Sequence, residues 1–121
     1  MLCRYADVDV ALEPFPFSAG LTSCEALWMG VPVVTASSSR PVSRQTHAIL
    51  QAIGRPQRPV KDEEAYIRVA LELARDADEL DRIRRELPEQ MRASPLCDGK
   101  SFSRDLDSLY REIWKAYLDE R

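Results

Sequence analysis

The sequence predicts an α/β fold with two or three short parallel strands, flanking helices and a helical C-terminus. Three observations predict it: an alternating apolar and acidic segment "ADVDVALE", a helical pattern that leads into the β-branched run "PVVTA", and long amphipathic patterns in the C-terminal half. A chain of 121 residues is long enough for one domain that buries roughly two-thirds of the surface exposed by its unfolded form. We therefore expect a single domain over residues 1–121.

The first part of the chain, residues 6–36, is predicted to form a β-α-β unit. Apolar and acidic residues alternate over 6–13, which indicates a short strand with one polar face. A helix is predicted from Thr22 to Met29, because apolar residues recur at helical spacing and Gly30 can adopt the positive φ of a helix end. The run at 32–36 is too short for a helix, so we expect a second strand, parallel to the first through a right-handed crossover.

The remainder, residues 42–118, is predicted to be mostly helical. One helix should extend from about Val42 to Ile53 and end at Gly54, because glycine accommodates the backbone of a helix end without strain. Val60 lies in a short stretch that can begin a brief third strand.

Three longer helical patterns complete the chain. Asp62 can cap the first of them, which should end near Asp76. The second starts around Asp78 and carries opposite charges one turn apart, which is typical of a solvated helix surface. Pro88 should kink or end this helix, because proline lacks a backbone donor. The third, from about Ser101 to Leu118, carries an apolar stripe widened by aromatic residues, and so much aromatic surface is expected to have a partner.

The charge and cysteine content exclude several classes of function. The 17 basic and 20 acidic side chains leave a net charge of −3 without a basic block, so no surface suited to nucleic acid is expected. No apolar run approaches the roughly 20 residues that span a bilayer, so no membrane partner is expected. Cys3, Cys24 and Cys97 are far apart and form no C-x-x-C pair. We therefore expect neither a metal site nor a redox disulfide, and a cytoplasmic location.

The segment "SAGLTSCE" has the parts of a phosphate-binding corner. The first N–H groups of a helix have no partner within the helix, and together with the helix dipole they attract an anion. Gly20 lets a ligand approach the main chain, and the N–H groups of residues 21–23 point toward it. Thr22 and Ser23 add hydroxyls. The corner follows the C-terminal end of a predicted strand, where ligands bind in open α/β sheets.

A purely structural interpretation of the same segment is also open. Thr22 and Glu25 have the spacing of a capping box, in which the Thr hydroxyl caps the helix and the Glu side chain reaches back to a backbone N–H. No ligand is then required. The segment matches neither the G-x-G-x-x-G dinucleotide fingerprint nor a P-loop, so the motif alone does not decide between the two interpretations.

Several blocks of the sequence, taken in order, resemble a known enzyme family. They are "ADVDVALEPFPFSAGLTSCEALWMGVPVVT", "VSRQTHAILQAIG", "DEEAYIRVALELARD", and "SPLCDGKSF" followed by "DLDSLYREIW". The most specific pieces are "ALWMGVPVVT" with its preceding Thr/Ser corner, the Ser43-Arg44 pair, and the "SPL" turn before the last helix. From about Tyr5 to Tyr117 the chain is similar to the C-terminal end of the O-linked N-acetylglucosamine transferase family, which includes SPINDLY-like proteins.

This resemblance implies a fold and an activity. Members of the family have a GT-B architecture of two Rossmann-like domains, and this chain would be the C-terminal portion of the one that binds the UDP-sugar. They transfer GlcNAc from UDP-GlcNAc to protein Ser/Thr hydroxyls, with inversion and without a required metal or cofactor. The implied partners are the UDP-sugar, a protein acceptor, and the rest of a parent enzyme, namely an N-terminal catalytic domain and TPR repeats.

The resemblance also assigns site residues. In the family, the loop and the helix start hold the donor diphosphate, and an acidic residue one turn into the helix bonds the ribose. The corresponding donor-binding residues here are Gly20, Leu21, Thr22 and Ser23 for the phosphates and Glu25 for the ribose. The corner departs from the family pattern at Ser18, Ala19, Leu21 and Glu25. Since Leu21 keeps its backbone N–H but offers no hydroxyl, we expect a weakened phosphate contact.

Catalytic residues and metal ligands are not assigned to this chain. The family's active site also draws on the first domain and on upstream parts of the second, so we expect the chain to be catalytically inactive alone. The alternative function is a non-catalytic protein-interaction module that has kept the fold and lost the nucleotide. The altered corner is compatible with either function.

Five further residues have an expected role. His47 has no acidic partner three or four positions away on its predicted helix, so it is expected to be structural. Arg44 can either reach an anion or form a surface salt bridge. Trp28 is expected to be buried against the sheet. Trp114 and Tyr117 are expected to be exposed, which would allow self-association through the C-terminal helix.

Overall fold

The chain combines short strands and helices in its first half and continues as long helices. The computed structural model describes residues 2–55, 60 and 62–120. The strands are β1 (Ala11–Leu12) and β2 (Val33–Val34), and the α-helices are α1 (Leu21–Trp28), α2 (Gln45–Ala52), α3 (Glu63–Arg75), α4 (Ala77–Ala93) and α5 (Gly99–Asp119). The 3-10 helices among these residues are Leu2–Asp7, Pro41–Ser43 and Pro95–Cys97.

β1 and β2 form the parallel pair that the sequence predicts, and helices flank it. Ala11 lies opposite Val33, and the next residue pair continues the same register. The predicted third strand is reduced, in the described part of the chain, to a single parallel bridge between Ala36 and Val60. The predicted α/β fold class is therefore confirmed, with a very small sheet.

The first predicted strand is shorter than expected. Residues 2–7 form a 3-10 helix, and β1 contains only two residues of the predicted segment 6–13. The backbone before β1 bonds elsewhere: the Val8 N–H donates to the Tyr5 carbonyl (3.3 Å), and the Arg84 guanidinium donates to the Val8 carbonyl (2.6 Å). The bonds of this strand to β2 are made by Ala11 and Glu13, and the preceding ladder bond would need an N–H at Pro32, which proline lacks.

α1 ends at a glycine, as the sequence predicts. Gly30 has a φ of +82°. The N–H groups of Gly30 and Val31 donate to the carbonyls of Leu27 (3.1 Å) and Ala26 (2.8 Å). This is a Schellman motif, which satisfies carbonyls that a helix end otherwise leaves unpaired. It directs the chain from α1 into β2, so the helix and the strand pack together.

The core lies where α1, α2 and α4 meet the sheet. Its buried side chains are Ala26, Leu27, Val31, Val33, Leu50, Ile53, Ile83, Leu87 and Met91. Full burial of one such aliphatic side chain stabilises the fold by about 1.5–3 kcal/mol relative to its exposure. The core therefore holds α1 in place, and with it the corner that precedes α1.

Trp28 is not part of this core, so the expectation that it is buried is wrong. The side chain is 40 % exposed, and the Arg92 guanidinium lies 5.3 Å from the centre of its ring. Successive helical residues point about 100° apart. Because Leu27 faces the centre of the core, Trp28 falls at its rim, where a cation–π contact with α4 covers part of the ring.

α2 and α3 have nearly the predicted boundaries. The segment Pro41–Ser43 forms a 3-10 turn, so α2 begins at Gln45 rather than near Val42. α2 ends just before Gly54, which has a φ of +75°. Asp62 caps α3 as predicted, its carboxylate accepting the backbone N–H three residues further on (2.7 Å).

α4 continues through Pro88, so of the two predicted effects of this proline, a kink or a helix end, the helix end does not occur. A proline inside a helix leaves the carbonyl four residues earlier, here that of Arg84, without its usual donor. This carbonyl lies against Gly30, where an added Cβ would be 2.6 Å from the Arg84 oxygen. α4 therefore packs closely on the end of α1 at the point where the proline removes a helical bond.

α5 is a 21-residue helix without a buried residue. Its first turn is capped by Asp98, whose carboxylate accepts from the Ser101 N–H (3.0 Å). Exposed apolar and aromatic side chains on it are Phe102, Leu109, Tyr110, Ile113, Trp114, Tyr117 and Leu118. The expected exposure of Trp114 and Tyr117 is confirmed. Within the described ranges, no helix combines the length and the apolar composition needed to cross a membrane.

Candidate functional site

The predicted corner lies where the chain passes from β1 to α1. The loop 13–20 follows the C-terminal end of β1, and α1 begins at Leu21 with Gly20 as its N-cap. The Cys24 N–H donates to the Gly20 carbonyl (3.2 Å). The N–H groups of residues 21–23 precede this bond and have no partner within the helix. Leu21 is 75 % exposed, so the start of α1 is open to solvent at the C-terminal edge of the parallel sheet.

The capping box that the sequence allows is not formed. Because α1 begins at Leu21, Thr22 lies inside the first turn rather than at the N-cap. The Thr22 hydroxyl is exposed and makes no hydrogen bond to any residue that the structure describes. Glu25 is half-buried and likewise has no hydrogen bond or ion pair within those residues. Both side chains are thus free of the structural role that capping would give them.

The Ser23 hydroxyl points into the protein. The residue is 3 % exposed, and its Oγ donates to the Glu13 carboxylate (2.9 Å). The Thr46 hydroxyl also lies within hydrogen-bond distance of this oxygen (2.9 Å). Only the backbone N–H of Ser23 is therefore available to contact a phosphate.

Glu13 organises the corner, although the sequence analysis did not single it out. The residue is 5 % exposed. Its Oε1 accepts from the Ala19 N–H and from the Ser23 hydroxyl, both at 2.9 Å, and is also bonded to the Thr46 hydroxyl. Its Oε2 accepts from the Thr35 hydroxyl. One carboxylate thus joins the loop, α1, the end of β2 and α2.

Neutral donors and helix dipoles stabilise this buried carboxylate. No basic side chain in the described part of the chain forms an ion pair with Glu13. Ser23 lies in the first turn of α1 and Thr46 in the first turn of α2, so the positive ends of two helices face the same carboxylate. Four hydrogen bonds and these two dipoles offset the cost of burying a charge.

The sequence does carry a weak signal for Glu13. An acidic residue stands directly after an apolar strand, and hydroxyl residues stand at three later positions next to the same sheet edge. Each of these features is common in sequences, so none of them alone identifies Glu13. Their convergence depends on contacts over 6 to 33 sequence positions, which periodicity in a short window does not contain.

Ser18 joins the corner to the start of α2. It is 2 % exposed, and its Oγ donates to the Val42 carbonyl (2.7 Å) and accepts from the Gln45 N–H (3.1 Å). The Gln45 side-chain oxygen would lie 3.1 Å from a Cβ at Gly20, so a larger residue there would displace it. Arg44, the N-cap of α2, is exposed and forms no ion pair in the described part of the chain, so the salt bridge considered for it is not formed there.

Cavities and a histidine also occur at or near the corner and elsewhere in the described part of the chain. A cavity of about 180 Å³ borders the corner, with Tyr5, Glu13 and Thr22 among its lining residues. A larger, mainly apolar cavity of about 510 Å³ lies between the sheet, α3 and α4, away from the corner. His47 is half-buried on α2. No group of three acidic, His or Cys side chains suited to a metal occurs among the described residues.

Comparison with known proteins shows the family of this chain. The model of glycosyl transferase family 41 matches residues 3–106. The chain belongs to glycosyl transferase family 41. This family 41 chain is 40 % identical over 115 residues to the "Probable UDP-N-acetylglucosamine--peptide N-acetylglucosaminyltransferase SPINDLY" of Hordeum vulgare. It is 31 % identical over 109 residues to the "UDP-N-acetylglucosamine--peptide N-acetylglucosaminyltransferase" of Caenorhabditis elegans. The predicted resemblance is confirmed.

The family 41 chain corresponds to a small part of its relatives. The match to the Hordeum vulgare protein covers 95 % of this chain and 12 % of that protein. The structure of a mutant O-GlcNAc transferase from Thermobaculum terrenum is similar with a TM-score of 0.85 and 40 % identity. That similarity covers 95 % of this chain and 22 % of the other chain. The fold described above therefore resembles a portion of that O-GlcNAc transferase.

Proposed function

We propose that this family 41 chain forms part of the nucleotide-sugar donor site of a glycosyltransferase. The transferase would move GlcNAc from UDP-GlcNAc to Ser/Thr hydroxyls of a protein acceptor. The observation that carries the proposal is the open start of α1, whose N–H groups at residues 21–23 lack helical partners at the C-terminal edge of the sheet. The relatives' names, which state UDP-N-acetylglucosamine and a peptide, support the donor and the acceptor class.

In this proposal each residue of the corner has a defined role. Gly20 permits close approach of the diphosphate to the main chain. Leu21 and Ser23 contribute backbone N–H groups, and Thr22 contributes an N–H group together with its unpaired hydroxyl. Glu25, one turn into α1, accepts a hydrogen bond from the ribose. No metal ligand and no cofactor is assigned, and inversion is the expected stereochemical outcome.

The complete reaction requires more than this chain. The chain spans 12 % of the Hordeum vulgare relative, so the acceptor cleft and the base-recognition residues are expected in other parts of a parent enzyme. We propose that these parts include an N-terminal catalytic domain and TPR repeats, and that the chain alone does not transfer sugar. Cys3, Cys24 and Cys97 are free thiols, which agrees with the proposed cytoplasmic location.

The expected affinity of the chain for UDP follows from the small number of contacts. Two or three hydrogen bonds to a charged phosphate contribute about 1.5–3 kcal/mol each, and several kcal/mol of lost ligand freedom offset them. A net binding free energy of about −4 kcal/mol corresponds to a Kd of about 1 mM. The parent enzyme would bind more tightly, because further residues contact the base and the sugar.

The proposal is tested by NMR titration of the chain with UDP, UDP-GlcNAc and uridine. If the corner holds the diphosphate, UDP and UDP-GlcNAc shift amide signals mainly at residues 18–25, and uridine, which has no phosphate, leaves them unchanged. Amides of α5 serve as an internal control. A folded chain whose signals at 18–25 do not respond to about 10 mM UDP would contradict donor binding.

A non-catalytic interaction module is the second candidate function, and the exposed face of α5 favours it. Seven large apolar or aromatic side chains of this helix are exposed. In that case the titration leaves the corner unchanged, while a binding protein shifts the signals of α5. The self-association proposed through α5 belongs to either function and is tested separately.

A further inference from the structure

Glu13 holds both ends of the segment that would face the donor phosphate. The Ala19 N–H and the Ser23 hydroxyl bond to the same carboxylate oxygen at 2.9 Å. The intervening residues, 20–22, contain the N-cap of α1 and its first two N–H groups. A rotation of this short segment would have to break one of the two bonds. The inward bonds at its ends therefore fix the direction in which its own N–H groups point.

Elements outside the corner also hold Glu13 in place. The Thr35 hydroxyl, just after β2, donates to Oε2, and the Thr46 hydroxyl of α2 is bonded to Oε1. The Tyr66 hydroxyl of α3 donates to the main-chain carbonyl of Glu13 (2.9 Å). These contacts bond Glu13 to three elements outside the corner. They fix the position of Glu13 relative to the rest of the domain.

We propose that Glu13 is a positioning residue of the donor site, whose carboxylate orients the N–H groups of Leu21 and Thr22 toward the nucleotide phosphates. This inference rests on the proposed function. Glu13 does not contact the nucleotide, because it is buried beneath the loop and the four hydrogen bonds of its carboxylate are made within the protein. Its effect on the donor acts through Ala19 and Ser23.

The substitution Glu13→Gln tests the role of the carboxylate with little change in volume. The amide oxygen is uncharged, so its bonds to Ala19 and Ser23 are weaker even when it takes the place of Oε1 and the NH₂ group donates to the Thr35 hydroxyl. Thr35→Val is the matched control. It removes a bond to the same carboxylate, on Oε2, and leaves both corner contacts on Oε1 in place.

The measurement is the NMR titration with UDP, carried out on the full chain well below the melting temperature of each variant. We expect the shift change of the Leu21 and Thr22 amides per unit of UDP concentration to fall at least fivefold in Glu13→Gln. In Thr35→Val it should stay within twofold of the unsubstituted chain. Both variants should melt at lower temperature, so the affinity readout separates positioning from a loss of stability.

Each outcome of this experiment has a distinct meaning. If the unsubstituted chain and Glu13→Gln respond equally, Glu13 supports only the stability of the fold, and the inference is overturned while the proposed function stands. If the unsubstituted chain shows no response at residues 18–25, the proposed function itself fails. If Glu13→Gln does not fold, Ser23→Ala replaces it, since it removes one of the two corner contacts and leaves the carboxylate three donors. An unchanged response in Ser23→Ala would then overturn the inference.

Discussion

Gly30 at the end of α1 lies directly against the main-chain carbonyl of Arg84 in α4. A Cβ built on Gly30 would be 2.6 Å from that oxygen, far inside van der Waals contact. The carbonyl is the one that Pro88 leaves without a helical donor. Two features that appear unrelated in the sequence, a glycine after α1 and a proline inside α4, therefore meet at one point of the helix packing.

The substitution Gly30→Ala should destabilise the chain by about 2–5 kcal/mol. A positive φ costs an L-residue about 1–2 kcal/mol, and overpacking typically adds about 1–3 kcal/mol. Gly54→Ala is the matched control, since Gly54 also has a positive φ, of +75°, but has open space around its Cβ position. We expect a loss of only about 1–2 kcal/mol there. Urea unfolding measures both values, and equal losses would contradict the role of the Arg84 contact.

The substitution Tyr66→Phe should lower stability by about 1 kcal/mol near neutral pH, because it removes the hydrogen bond to the Glu13 carbonyl. Burial raises the pKa of Tyr66 above 10, and the Glu13 carboxylate raises it further. The stabilisation by the neutral phenol is thus complete below pH 10 and is lost as the pH rises through the pKa of the folded state.

Unfolding of Tyr66→Phe measured at pH 8 and above pH 10 checks this pH dependence. The unsubstituted chain should lose more stability over this interval than Tyr66→Phe does. Tyr110→Phe, at an exposed position of α5, is the control and should retain the full pH dependence. An identical decline in all three proteins would show that Tyr66 does not cause it.

The features that were predicted correctly depend on residues close to one another in the sequence. Gly30, Gly54 and Asp62 act on the backbone within four residues, so their roles as helix ends and cap follow from the sequence and are observed. The same holds for the parallel strands around α1, because the β-branched run and the helical pattern adjoin each other. The start of α1 could be placed to within one residue for this reason.

The remaining features depend on contacts between distant parts of the chain. The Arg84 guanidinium bonds to the Val8 carbonyl, just before the first strand, from 76 positions away. The Arg84 carbonyl, which Pro88 leaves without its helical donor, lies against Gly30 in another part of the chain. Glu13 joins hydroxyls up to 33 positions away. A pattern read in a window of about 15 residues does not contain these pairs, so neither the length of the strand nor the organiser of the corner could be predicted from it.

Cys24 should react with iodoacetamide several-fold more slowly than Cys3 at pH 8. Burial raises the pKa of the Cys24 thiol, and the nearby Cys97 and Glu25 raise it further, so less of the reactive thiolate is present. Cys3 is exposed. Mass spectrometry of peptides after timed alkylation measures both rates in one sample, and alkylation in urea should make them similar. A faster reaction at Cys24 in the folded chain would contradict the described environment.

The isolated chain should self-associate through α5, and Ile113→Glu should abolish this association. Ile113 is 56 % exposed within the apolar and aromatic face of the helix, where a charge would be desolvated in any dimer. Ser108→Glu is the matched control, because it adds the same charge on the opposite, polar face of α5. Sedimentation equilibrium measures the oligomeric state. A chain that remains monomeric at about 1 mM, or a dimer that both variants retain, would rule out this surface.

The substitution Leu21→Thr should strengthen UDP binding to the isolated chain by about twofold to tenfold. Leu21 is 75 % exposed at the open start of α1, and it departs there from the hydroxyl that the family pattern carries. A threonine would add one hydrogen bond to the phosphate of about 1.5–3 kcal/mol, and ordering the exposed side chain offsets part of it, which leaves about 0.5–1.5 kcal/mol. Leu71→Thr makes the same exchange at an exposed position of α3 and should leave the affinity unchanged. The affinities are compared by NMR titration with UDP at residues 18–25. Equal effects of the two substitutions, or weaker binding in Leu21→Thr, would mean that the N-terminus of α1 does not face the phosphates.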